Sequence, residues 1–78
     1  MLSLKYLGIY ALTLPEEISL EDKETLGDVM AEVIEASNMP DEFFWERHLV
    51  LLNGNQAELD EPVSDGDLLQ VLSYSEGG

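Results

Sequence analysis

The sequence predicts an α+β domain in two layers, a mixed sheet of four to five strands with one main helix packed on one face. Three observations carry that reading. Residues 2–10 and 17–21 alternate apolar and polar side chains, which is strand periodicity. Residues 25–38 instead repeat apolar side chains at three- and four-residue steps, the period of an amphipathic helix. Two further apolar runs, 49–52 and 68–74, have the length and composition of buried strands. A striped helix and a sheet with a face to bury satisfy each other by packing in layers.

Each element has its own justification. In "LSLKYLGIY" Leu2, Leu4 and Tyr6 face one way and Ser3 and Lys5 the other. Leu7 and Ile9 make the second face apolar as well, so the first strand is predicted to be partly covered on both sides. Pro15 interrupts it, and "EISLE" resumes the alternation with Ile18 and Leu20 inward. Two such strands with a short connection form a hairpin.

In "TLGDVMAEVIEASN" the apolar stripe is Leu26, Val29, Met30, Val33 and Ile34. Thr25 suits the N-cap, and Asp28 at the third helical position approaches a capping box and favours the positive helix end. Asn38 suits a left-handed C-terminal position, and Pro40 forbids continuation. Asp28, Glu32 and Glu35 make the outer helix face acidic. A short helical turn is predicted from Pro40, with Phe43, Phe44 and Trp45 sealing the edge of the core. His48, the single histidine, has no metal-ligating or triad partner near it in sequence and reads as an ordinary residue at a strand end.

Leu49–Leu52 is an uninterrupted apolar run, predicting an interior strand covered on both faces. Asn53-Gly54 is a turn signal, since both residues tolerate positive φ. Ala57 and Leu59 are predicted to continue as a brief strand. The stretch 60–67 is a loop with Val63 as an apolar plug and Asp65-Gly66 as a tight turn, and "LLQVLSY" is the last buried strand. The predicted order is β-β-α-β-β-β, with residues 1–74 as one domain and 75–78 as a flexible Gly-Gly tail.

Composition narrows the function classes. The 78 residues are 45% hydrophobic and 26% charged, which fits a single globular domain. Seventeen Asp and Glu stand against Lys5, Lys23 and Arg47, a net charge of −14. Nucleic acid and anionic membranes are therefore disfavoured as partners, because both are recognised through basic patches. A basic protein partner is favoured by long-range steering, though the same charge also serves solubility. Without cysteine there is no disulfide, thiolate metal site or cysteine nucleophile, which fits a cytoplasmic location. "MLSLKYLGIY" lacks the basic and apolar regions of a signal peptide, and the apolar stretches fall short of a membrane span.

The apolar strand leading into Asn53-Gly54, the "EPVSDGD" stretch from Glu61 to Asp67, the apolar strand after it and the closing Gly77-Gly78 together resemble a known family. It is the ubiquitin-like β-grasp sulfur carriers, which include the small subunit of molybdopterin synthase and the thiamin-pathway carrier; the former is the nearer. The helix entry "LGDVMAEV", Leu26 to Val33, resembles that family's helix start as well. The resemblance implies a ubiquitin-like β-grasp fold and a carrier role. In such carriers the carboxylate of the last glycine, here Gly78, is adenylated by a ubiquitin-activating-type enzyme using ATP and Mg²⁺. Sulfur then replaces an oxygen to give a thiocarboxylate. The chain would be a protein cosubstrate rather than an enzyme, with no cofactor of its own. Its sulfur would go to molybdopterin or tungstopterin synthesis, with the molybdopterin synthase large subunit as second partner. Matching by position places Leu7, Gln56 and Leu72 in the family's docking surface, with Tyr74 as a further contact.

Physical chemistry accommodates that role. A carboxylate is a poor acyl donor, and AMP is a far better leaving group than oxide. Gly77 and Gly78 carry no Cβ, so a chain ending in them can thread a narrow channel. Extended, Ser73 to Gly78 would span about 20 Å. Two other readings use the same residues. One is a protein modifier joined through Gly78 to lysines of targets, and the other an acidic β-grasp interaction subunit that transfers nothing. Leu7 and Leu72 can equally be read as core residues.

Overall fold

The structure, a computed structural model, describes residues 1–74. The predicted tail 75–78, with Gly77 and Gly78, lies outside the described residues. In chain order the elements are β1 (Leu2–Leu7), β2 (Glu17–Ile18), α1 (Leu26–Ser37), α2 (Asp41–Arg47), β3 (His48–Leu52), β4 (Asn55–Gln56) and β5 (Leu68–Ser73). They form an α+β domain whose one mixed sheet runs in the order β2-β1-β5-β3-β4. The first and last strands lie side by side in parallel, and the other pairs are antiparallel.

Alternation decides what each strand buries. Leu2 and Leu4 of β1, Ile18, Val50 and Leu52 of β3, and Leu69 and Val71 of β5 point to one face and are buried. They share a single core with Leu26, Val29, Met30, Val33 and Ile34, the predicted stripe of α1. Phe44 of α2 closes that core and is fully buried, with Trp45 packed against it edge-on at 5.5 Å between ring centroids. Arg47 lies over the Phe43 ring at 4.0 Å. The predicted helical turn after Pro40 is thus a seven-residue helix, and its aromatics split between core and edge.

The start of α1 is tightly specified. Thr25 Oγ1 accepts from the Asp28 amide at 3.3 Å, and the Asp28 carboxylate accepts from the amides of Glu24 and Thr25 at 2.9 and 3.1 Å. The first helical amides also find partners, Leu26 donating to the Glu61 carbonyl and Gly27 to that of Leu59, so donors a helix leaves orphaned are satisfied. The Glu24 and then the Thr25 amide hold the Asp28 carboxyl below the usual aspartate range. The contribution is therefore complete above the unfolded-chain pKa of about 3.9 and is lost as pH falls through the lower folded value. Asn38 ends the helix in the left-handed region at φ 61.

Three expectations need correction. Leu7 and Ile9 are each 63% exposed, so β1 is covered on one side only; both helices contribute to the core on the other face. The same cause applies to β3, where Leu49 and Leu51 are half-buried between buried neighbours. The brief fourth strand is Asn55–Gln56 rather than Ala57–Leu59. Asn53 and Gly54, at φ 52 and 85, form a two-residue turn that pairs Leu52 with Asn55 at once.

Candidate functional site

Strand register brings three chain segments together at one end of the sheet. Leu7 at the end of β1 pairs with Leu72 of β5, which pairs with Leu49 of β3. Ser73 sits opposite His48, and the Tyr74 amide donates to the Arg47 carbonyl at 2.8 Å. This is where β5, the last described strand, ends.

The inner side of that end is locked by polar contacts. His48 is 2% exposed. Its Nδ1 lies 3.0 Å from the Phe44 carbonyl and its Nε2 3.1 Å from the Tyr6 hydroxyl. A carbonyl can only accept, so Nδ1 carries a proton, and in the neutral ring Nε2 accepts from Tyr6. The ring stacks on Phe44 at 4.5 Å between centroids and sits 5.5 Å from Tyr10. Ser73 Oγ accepts from the Ile9 amide at 2.9 Å, tying the end of β5 to the chain after β1. Gly8 fits beneath: a Cβ there would lie 2.2 Å from the Tyr6 hydroxyl and 2.9 Å from Ser73 Oγ. His48 opens β3, the strand-end position the sequence predicts, with both ring nitrogens partnered. The available signal was its four-residue spacing from Phe44, together with the inward phase of Tyr6.

The outer side is open. One cross-strand row carries Leu7, Leu72 and Leu49; the next carries Lys5, Gln70, Leu51 and Gln56. Leu7 is well exposed, Leu72 and Leu49 are half-buried, and Tyr74, at 49% exposure, follows Ser73. Leu7 and Leu72 of the predicted contact residues are therefore direct neighbours, Tyr74 lies just beyond them, and Gln56 is one row away at the far edge. The sequence reading missed Leu49, because an unbroken apolar run does not reveal which of its residues are left uncovered. Gly77 and Gly78 fall outside the described residues.

Charge frames this surface unevenly. Lys23 is bound to Glu32 at 2.9 Å and Arg47 lies 3.8 Å from Glu46, while Lys5 stands on the outer face, one row from Leu7. Among the described residues no group of three His, Asp or Glu side chains could hold a metal ion, and no helix is long and apolar enough to cross a membrane. What the site offers chemically is apolar contact area beside the end of β5. Comparison with protein-family models, curated proteins and solved structures gives no match to this chain.

Proposed function

We propose that the protein is a sulfur carrier of the ubiquitin-like β-grasp type, acting through the Gly78 carboxylate. The observation that carries the proposal is the placement of β5. It is the central strand, parallel to β1 and antiparallel to β3, and it delivers the chain to Tyr74 beside the open Leu7–Leu72–Leu49 row. The strand order and the helix packed across one face support the β-grasp reading. An exposed apolar row beside the end of β5 suits docking on a partner that acts on the residues following that strand.

In the proposed reaction a Gly78 carboxylate oxygen attacks the α-phosphorus of ATP, and pyrophosphate leaves. Hydrosulfide then attacks the acyl carbon, AMP departs with the carboxylate oxygen it had captured, and loss of the S–H proton leaves the thiocarboxylate. A ubiquitin-activating-type enzyme supplies ATP, Mg²⁺ and catalysis. Our domain supplies the carboxylate, and a cytoplasmic molybdopterin or tungstopterin synthase consumes the sulfur.

Intact-mass analysis of the protein purified from its own host tests this directly. The expected result is an oxygen-to-sulfur exchange on the C-terminal peptide, lost when Gly78 is deleted while the circular dichroism spectrum is unchanged. Gly-Gly remnants on lysines of other proteins would establish the modifier reading instead. Full activity after the deletion would rule out both transfer roles.

A further inference from the structure

A groove of about 850 Å³ runs along the outer edge of β3. β4 pairs only with Leu51 and Leu52, so among the described residues no strand lies beside His48 to Val50 on that side. The walls come from α2, through Trp45 and Asp41, and from the segment after β4, through Ala57, Glu58, Leu59 and Glu61. Tyr74 lines it as well.

We propose that this groove docks an extended, basic segment of a protein partner. Three features select that occupant. A strand edge without a neighbour is a template for an added strand, whose backbone supplies the bonds and whose alternate side chains read the walls. The floor is apolar, with Trp45 and Leu49 half-buried and Leu59 50% exposed, so one side chain of each alternating pair has a dry seat. Every charged residue lining the groove is acidic, namely Asp41, Glu58 and Glu61, in a chain of net charge −14. An acidic segment or a second copy of this chain would be repelled, whereas lysine or arginine at alternate positions would meet a carboxylate. The groove shares Leu49 and Tyr74 with the end of the Leu7–Leu72 row but extends away from Leu7 toward Trp45 and Leu59, and the proposal holds whatever the chemistry at Gly78.

The test is a titration of the ¹⁵N-labelled full chain with a blocked peptide alternating lysine and valine. Amide shifts should concentrate at Trp45, Ala57, Leu59 and Tyr74, and affinity should fall about fivefold or more in the Glu58→Gln/Glu61→Gln variant. N-methylation of the peptide backbone should abolish binding, which separates strand addition from simple charge attraction. A matched glutamate-valine peptide should leave the spectrum unchanged. Shifts spread over the whole acidic surface, shifts centred on Leu7 and Leu72, or none at millimolar peptide would overturn the proposal. So would groove shifts that follow protein concentration without peptide, which would identify a second copy as occupant.

Discussion

The two faces of the sheet are both rich in leucine, yet they have opposite fates. On the inner face Leu2, Leu4, Val50, Leu52, Leu69 and Val71 are all at most 7% exposed, beneath α1 and Phe44 of α2. On the outer face Leu7 is 63% exposed, and Leu49, Leu51, Leu68 and Leu72 are only half-buried by their neighbours. Side-chain type does not separate the two sets; the helices do. An apolar residue beneath the helical layer contributes to folding, while one on the far side stays available for contact.

The comparison is broken most decisively from the inside. Phe44 is fully buried and stacked on His48, so Phe44→Ala removes core volume at the junction of α2 and the sheet. The expected loss is about 3–5 kcal/mol, read from urea denaturation, a large share of the stability of a domain this small. A loss below about 1 kcal/mol would mean that α2 is an appendage and that the inner face is closed by α1 alone.

Legibility in the sequence followed the same division. The α1 stripe, its Thr25–Asp28 capping box and its Asn38 end were readable because each rests on local chemistry within a few residues. So was the antiparallel pairing of β1 and β2. The errors arose where coverage depends on a distant element. "LSLKYLGIY" and "HLVLL" are apolar on both faces, and nothing within them says that only one face receives a helix. β4 was displaced because the Asn53-Gly54 signal was recognised without the immediate pairing its geometry imposes. In the candidate site the register places Leu7 beside Leu72, two of the expected contacts, whereas Leu49 joins them only through the β3–β5 pairing, which no local pattern announces. The Tyr6–His48–Phe44 contacts likewise join residues that the sequence separates widely.

A smaller effect is expected at the end of the sheet where the faces meet. A Cβ on Gly8 would overlap the Tyr6 ring, 2.2 Å from its hydroxyl oxygen and 2.4 Å from the carbon bearing it. Gly8→Ala must push Tyr6 away from His48, costing about 1–3 kcal/mol as overpacking does. If the clash is the cause, the penalty shrinks in a Tyr6→Ala background, and a double-mutant cycle measures the coupling. Equal penalties in both backgrounds would place the cost in the backbone instead.

The smallest stability effect belongs to the outer face, and it sharpens the comparison most. Leu4 and Leu7 are on the same strand, three residues apart and in opposite phase, at 6% and 63% exposure. Leu4→Ala should cost about 2–5 kcal/mol, whereas Leu7→Ala should stay within about 0.5 kcal/mol of the parent. On the proposed carrier function Leu7→Ala should nonetheless weaken binding to the activating enzyme, because an exposed apolar anchor is worth most once a partner desolvates it. Melting curves and a binding titration on the same two variants check both halves. Loss of stability without loss of binding at Leu7 would make its side chain part of the fold and would leave the outer row without a role in docking.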